Sequence, residues 1–120
     1  MTFILPLGLA LLFPVTAEAA SKCFTPRFVS LVGQTVNAQM IAESGRSCSI
    51  GLGSSEGPVK STWISTQARN GTATATGTRV SYKSRPGFTG RDSFTYSRTL
   101  IDRYGKPGTK IVVVNIEVVH

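Results

Sequence analysis

Apolar and polar side chains alternate along most of this chain with a period of two, the spacing of strands that bury one face. Val80 and Tyr82 alternate with Arg79, Ser81 and Lys83, and Phe94 and Tyr96 alternate with Ser93, Thr95 and Ser97. Between them, Pro86, Gly87 and Gly90 supply the fixed and the permissive φ of a sharp connection. Residues 82–96 therefore read as strand, tight turn, strand. Upstream, Arg27–Val32 is expected as a first strand, with Phe28 and Val32 apolar. Gln34–Ile41 is a second, with Val36, Ala38 and Met40 on one face. Cys48, Ile50 and Leu52 mark a third after a turn at Glu43–Arg46. Gly53–Pro58 is a loop by composition, and Thr62–Ile64 follows as a strand with Ile64 inward. Trp63 then points the other way and is expected at an edge or partly exposed.

Asn70-Gly71 is a two-residue hairpin signal, followed by the β-prone Thr72–Thr76. The same residues match a glycosylation pattern, which a turn explains equally well. The last segment, Thr109–His120, reads with Val112, Val114, Ile116 and Val118 on one face. Lys110, Val113, Asn115, Glu117 and Val119 are assigned to the other, with Lys110 and Glu117 guarding a strand near an edge. The pattern predicts an all-β domain of about seven strands, a sandwich or small barrel. Phe88, Phe94, Tyr96, Tyr82, Val80, Ile64 and the C-terminal valines are its expected core.

Residues 3–17 depart from this pattern. They form an apolar run that ends in Ala17-Glu18-Ala19-Ala20, which reads as a signal peptide over residues 1–19. No Lys or Arg precedes the run, which a start codon placed too late would explain. Lys22 before Cys23 does not fit a lipoprotein signal. Residues 20–120 are then one domain, secreted or periplasmic, with no transmembrane span in the mature chain. In that compartment the two cysteines, Cys23 and Cys48, are expected to pair. The disulfide would tie the N-terminal segment to the third strand. Two thiols and a single histidine, His120, supply no metal site, and no cofactor is expected.

The pattern Y-x-x-x-x-GF-x-G-x-DSFTY, made here by Tyr82, Gly87, Phe88, Gly90, Asp92, Ser93, Phe94, Thr95 and Tyr96, resembles the signature of bacterial Ig-like, cadherin-like domains. The likeness extends back through Ile64–Thr72, similar to the family's V-x-x-QPxHGT segment. It extends forward to Ile111–Val119, so it covers roughly the C-terminal half. It implies an Ig-like antiparallel β-sandwich with Greek-key topology, found in tandem repeats of surface or secreted adhesins. Cell-surface or extracellular association follows from it. Ala68 and Ser84 stand where the family often has Pro. The turn Asp102–Gly108 is basic, not the acidic glycine-rich turn of the family, and so gives no support to calcium binding there. Tyr96 is the expected counterpart of a tyrosine corner, with Tyr82 the alternative.

Charge adds a functional hint. The chain has 13 Lys and Arg against 6 Asp and Glu; the leader removes only Glu18, leaving 13 against 5. Such a balance draws anionic partners. Arg98, Arg103, Tyr104, Lys106 and Lys110 gather around the Asp102–Gly108 turn, while Lys83, Arg85 and Arg91 flank the Gly87–Gly90 turn. Tyr104 among cations can stack on a sugar while the charges meet anions. A protein, an anionic polysaccharide or another envelope component is the expected partner; nucleic acid is not.

Catalysis is not expected. Serines lack an internal histidine base. The carboxylates Glu43, Glu56, Asp92, Asp102 and Glu117 lie in separate turns or on an outer face. Asp92 is expected to accept hydrogen bonds from N–H groups of its adjoining turn. The primary reading is a non-catalytic binding or adhesion-type module with a basic loop surface. The second is a periplasmic binder or inhibitor of an anionic macromolecule or envelope enzyme.

Overall fold

The computed structural model describes residues 22–53 and 59–120. The expected leader, its cleavage site and most of the predicted 53–58 loop, Glu56 included, fall outside these residues. Eight strands form: β1 (Cys23–Phe24), β2 (Thr35–Glu43), β3 (Ser47–Gly51), β4 (Val59–Thr66), β5 (Gly71–Ala75), β6 (Arg79–Ser84), β7 (Gly90–Ile101) and β8 (Pro107–Val119). No helix is present among the described residues. One sheet has the order β1-β2-β8-β7-β4 and the other β3-β6-β5. All neighbours are antiparallel except β2 and β8, which run parallel from Thr35 opposite Ile111 to Glu43 opposite Val119.

Alternation builds the core. Ala38, Met40, Ala42, Phe94, Tyr96, Val112, Val114, Ile116 and Val118 come from the larger sheet. Cys48, Ile50, Ala73, Val80 and Tyr82 come from the smaller, and all join one buried cluster. Each fully buried aliphatic or Phe side chain contributes roughly 1.5–3 kcal/mol. Tyr82 and Phe94 stack across the sheets, ring centroids 6.1 Å apart. Phe28, Ile64 and Phe88 pack against this cluster only in part. Trp63, on the edge strand β4, is 42% exposed, as its parity with Ile64 required. Two irregularities in the β4–β7 register, near Val59 and near Thr66, roughen that edge against pairing with other strands.

Four expectations are corrected here. Arg27–Val32 is not a strand: only Phe28 of its large side chains turns toward the core, while Val29 is 68% exposed. The first strand is instead the short β1, held beside Ala42 and Ile41. Asn70-Gly71 does not close a hairpin, since β4 and β5 belong to different sheets. Gly71 is needed for another reason: a Cβ there would stand 2.5 Å from the carbonyl oxygen of Lys83 and 2.8 Å from the Cα of Ser84. The turn after β6 likewise carries the chain between sheets, with Gly87 at φ +84° and Gly90 at φ +122°. Finally, β8 is the third of five strands, not an edge. Lys110 precedes Val112 by two residues and so shares its inward face, where it is buried.

Cys23 and Cys48 are disulfide-bonded, with Cα atoms 5.4 Å apart. The bond joins β1 of the larger sheet to β3 of the smaller and closes a loop of sequence separation 25. Reduction, or the Cys23→Ser/Cys48→Ser pair, is expected to lower unfolding free energy by about 3–4 kcal/mol through unfolded-chain entropy. Urea melts with and without reductant check this; coincident curves would refute it.

Candidate functional site

Asp92 organises one end of the domain. It stands at the start of β7, opposite Ile116. Its Oδ1 accepts from the Arg69 N–H at 3.1 Å and from its own neighbour Ser93 N–H at 2.9 Å. Oδ2 accepts from the Asn70 N–H at 3.1 Å and from the Tyr82 hydroxyl at 2.8 Å. The carboxylate therefore ties down the β4–β5 connection and β6. Its partners are not the N–H groups of the adjoining Gly87–Gly90 turn, because the chain must fasten the sheet crossing at residues 67–70, which has no ladder of its own. Gln67 helps from the same crossing: its side chain accepts from the Ala73 N–H at 2.7 Å and donates to the Ala73 carbonyl at 3.0 Å. The Arg85 N–H donates to the Asn70 carbonyl at 2.9 Å, which closes the loops together.

These bonds place Arg69 and Arg85 on the rim of a hollow of about 360 Å³ that Lys83 also lines. All three are exposed. Two ion pairs of the described residues lie elsewhere, Arg46 with Glu43 at 3.7 Å and Arg91 with Glu117 at 3.8 Å. Arg85 also lies over the Phe88 ring, 5.3 Å from its centroid, an arrangement that orders the guanidinium. Arg69 was not among the expected contact residues. Its neighbours Asn70-Gly71 carry so strong a turn signal that the residue before them reads as turn filler.

The expected contact residues divide into three places. Arg103, Tyr104 and Lys106 sit at the β7–β8 turn, where the Asp102 carboxylate accepts from the Tyr104 N–H at 2.8 Å and the Lys106 N–H at 2.9 Å. Tyr104 is 80% exposed, with the Arg103 guanidinium 5.9 Å from its ring centroid. Arg85 and Arg91 are at the opposite end of β7, a 12-residue strand, so roughly 36 Å away. Arg98 and Lys110 belong to neither loop. They are 3% and 4% exposed, on the inward faces of β7 and β8, because even-numbered residues of both strands face the core. The basic residues thus do not form one continuous surface.

A comparison of the chain with protein-family models, curated proteins and solved structures finds no match. What the site does must therefore be argued from its own groups. Among the described residues, no group of three His, Cys, Asp or Glu side chains is arranged to hold a metal ion. Tyr82 and Tyr96 are buried, and neither forms a tyrosine corner. Tyr82 donates to a carboxylate, not to a backbone group as a tyrosine corner would. Tyr96 has no backbone hydrogen bond from its hydroxyl among the described residues.

Replacing Asp92 with Asn removes the charge that several donors share and is expected to cost about 3 kcal/mol, measurable by chemical denaturation. A change below about 0.5 kcal/mol, the size of an ordinary surface substitution, would refute its fastening role. Burial, with no counter-effect large enough to offset it, pushes the Tyr96 phenol up to about 12; burial and the Asp92 hydrogen bond raise Tyr82 as well. Both shifts favour the protonated folded state. Stability from these groups is intact below pH about 10 and falls as pH climbs through the folded values, by up to about 1.4 kcal/mol per pH unit per tyrosine. Tyr96→Phe should flatten part of that alkaline loss; an unchanged slope between pH 10 and 12 would contradict the assignment.

Proposed function

We propose that this chain is an exported, non-catalytic, Ig-like binding module that docks on an anionic polysaccharide or similar envelope polyanion through its basic end. The observation that carries the reading is the hollow bounded by Arg69, Lys83 and Arg85, three exposed cations held together by loops that Asp92 fastens. Cations on a rigid rim lose little freedom when they meet a polymer, so more of the electrostatic attraction appears as affinity. Arg103, Tyr104 and Lys106 at the far end provide a second, smaller contact, which a long polymer can reach at the same time.

The Ig-like part of the proposal is supported by strand order. An Ig-type sandwich places its third, sixth and seventh strands in one sheet and its second, fifth and fourth in the other. Here β4, β7 and β8 share one sheet and β3, β6 and β5 the other, counting β2 as the first long strand. Export is supported by the apolar leader in the sequence and by the Cys23–Cys48 disulfide. The absence of chemistry is supported by the use already made of Asp92 and Asp102, whose oxygens are taken up by backbone N–H groups. Adhesion through a protein partner is the competing outcome.

The test is binding of the mature, oxidised protein to immobilised polygalacturonate across a salt series. With about three ion contacts, affinity should fall by about an order of magnitude or more between 50 and 200 mM salt. The Arg69→Ser/Lys83→Ser/Arg85→Ser variant should bind at least tenfold more weakly and show a shallower salt slope. Arg103→Ser/Lys106→Ser should lose less. Absence of binding at low salt, or a salt-insensitive interaction confined to a protein from the envelope, would overturn the polyanion reading.

A further inference from the structure

The outward face of the larger sheet carries a cross-strand row of polar groups that the fold leaves largely unused. Gln39, Asn115 and Ser93 are register partners on β2, β8 and β7. Parity turns them outward, since Met40, Ile116 and Phe94 beside them face the core. Two amides and a hydroxyl thus stand side by side, roughly 4.8 Å apart from strand to strand. Asn115 donates through Nδ2 to Asn37 Oδ1 at 3.1 Å and to the Ala38 carbonyl at 3.4 Å, which orients the amide. Its Oδ1 is left as an open acceptor. The Gln39 amide and the Ser93 hydroxyl have no hydrogen-bond partner among the described residues.

This row lines a hollow of about 670 Å³. Ile41, 41% exposed, gives it an apolar side, and Arg91 and Glu117 bound it as an ion pair whose charges answer each other. Arg69 and Asn70 line it too, and the same two residues line the basic hollow with Lys83 and Arg85. The two hollows therefore meet at Arg69. In the other direction the next two rows, from Asn37 to Thr95 and from Thr35 to Trp63, hold no ionisable side chain. A chain with 13 Lys and Arg keeps its charge off this stretch. Long-range attraction of polyanions does not select such a surface. Recognition there falls to convergent hydrogen-bonding groups and apolar contact.

We infer that this hollow binds an acetamido-bearing sugar. Each side-chain amide offers donors and an acceptor, the complement of the carbonyl and N–H of an acetamido group, while Ile41 receives its methyl. Ser93 meets a ring hydroxyl. An acidic sugar is served on the other side of Arg69, by Lys83 and Arg85. Both hollows are filled at once by a polymer that alternates acidic with N-acetylated residues, a step that rests on the polyanion docking proposed above.

Calorimetric titration of the mature, oxidised protein with chitotetraose and cellotetraose tests the site by itself. The two differ in acetamido against hydroxyl groups, and neither is charged. Saturable binding of chitotetraose, at least tenfold tighter than cellotetraose, is the expected result. Gln39→Ala/Asn115→Ala should weaken it at least tenfold and leave polygalacturonate binding unchanged, which also shows that the variant is folded. In the native protein, the side-chain amide resonances of Gln39 and Asn115 should shift saturably with chitotetraose and stay fixed with cellotetraose. Hyaluronan, which alternates uronate with N-acetylglucosamine, should be weakened by this variant and by Arg69→Ser/Lys83→Ser/Arg85→Ser alike. Equal binding of the two tetrasaccharides, no binding of chitotetraose, or unmoved amide resonances overturns the acetamido site. If chitotetraose binds as expected while polygalacturonate does not bind at low salt, polyanion docking falls and the acetamido site stands.

Discussion

The long pairing of β7 with β8 sets the terms for the rest of the molecule. From Gly90 opposite Val118 to Ile101 opposite Pro107 the ladder is unbroken, and a strand that bends its side chains to alternate faces allows no local exceptions. Once Phe94, Tyr96, Val112, Val114, Ile116 and Val118 turn inward, so must every second residue beyond them. The buried Arg98 and Lys110 are a consequence of that parity. Shifting either strand by one residue would expose the cations but turn the whole apolar set toward water.

β2 extends this sheet through a parallel register with β8, and the disulfide connects the sheet to β3. The two sheets are therefore joined covalently at one end and by Asp92 near the start of β7. The two fastenings differ in kind. The disulfide acts mainly on the unfolded chain, whereas Asp92 satisfies native backbone donors that would otherwise be left without partners at a sheet crossing. That second role also shapes the surface. The loops held by Asp92 are those that bring Arg69 near Arg85 and Lys83, so one acidic residue sets the geometry of a cationic hollow.

The charged groups occupy three different environments, and their energetics differ with them. Arg91 and Glu117 form an exposed pair of the kind that contributes little. Arg69, Lys83 and Arg85 are exposed, so their charges stay in water and carry no burial cost. Arg98 is desolvated, and only neutral oxygens among the described residues answer it. A sequence-wide surplus of positive charge does not distinguish these cases, because net charge reports attraction at a distance and not the cost of burial.

Much of the architecture was legible beforehand because alternation is a local signal. The apolar inward positions of β2, β3, β6, β7 and β8, the part-exposed Trp63 and the glycine-dependent turn at Gly87–Gly90 follow from residue order alone, whereas Arg98 and Lys110, which share the inward faces of β7 and β8, were expected outside. The cysteine pairing was expected from their even number and from the apolar run at residues 3–17. Which strands are neighbours did not follow, since Asn70-Gly71 specifies that the chain turns and not which sheet receives it. Nor did the partners of Asp92, which lie 22 and 23 residues away in sequence. Residue order set the faces of the strands, because side-chain direction depends on the backbone within two residues. Packing of the sheets decided which cations lie in water, which lie inside and which loop a carboxylate holds, because these depend on contacts that only form when distant segments meet.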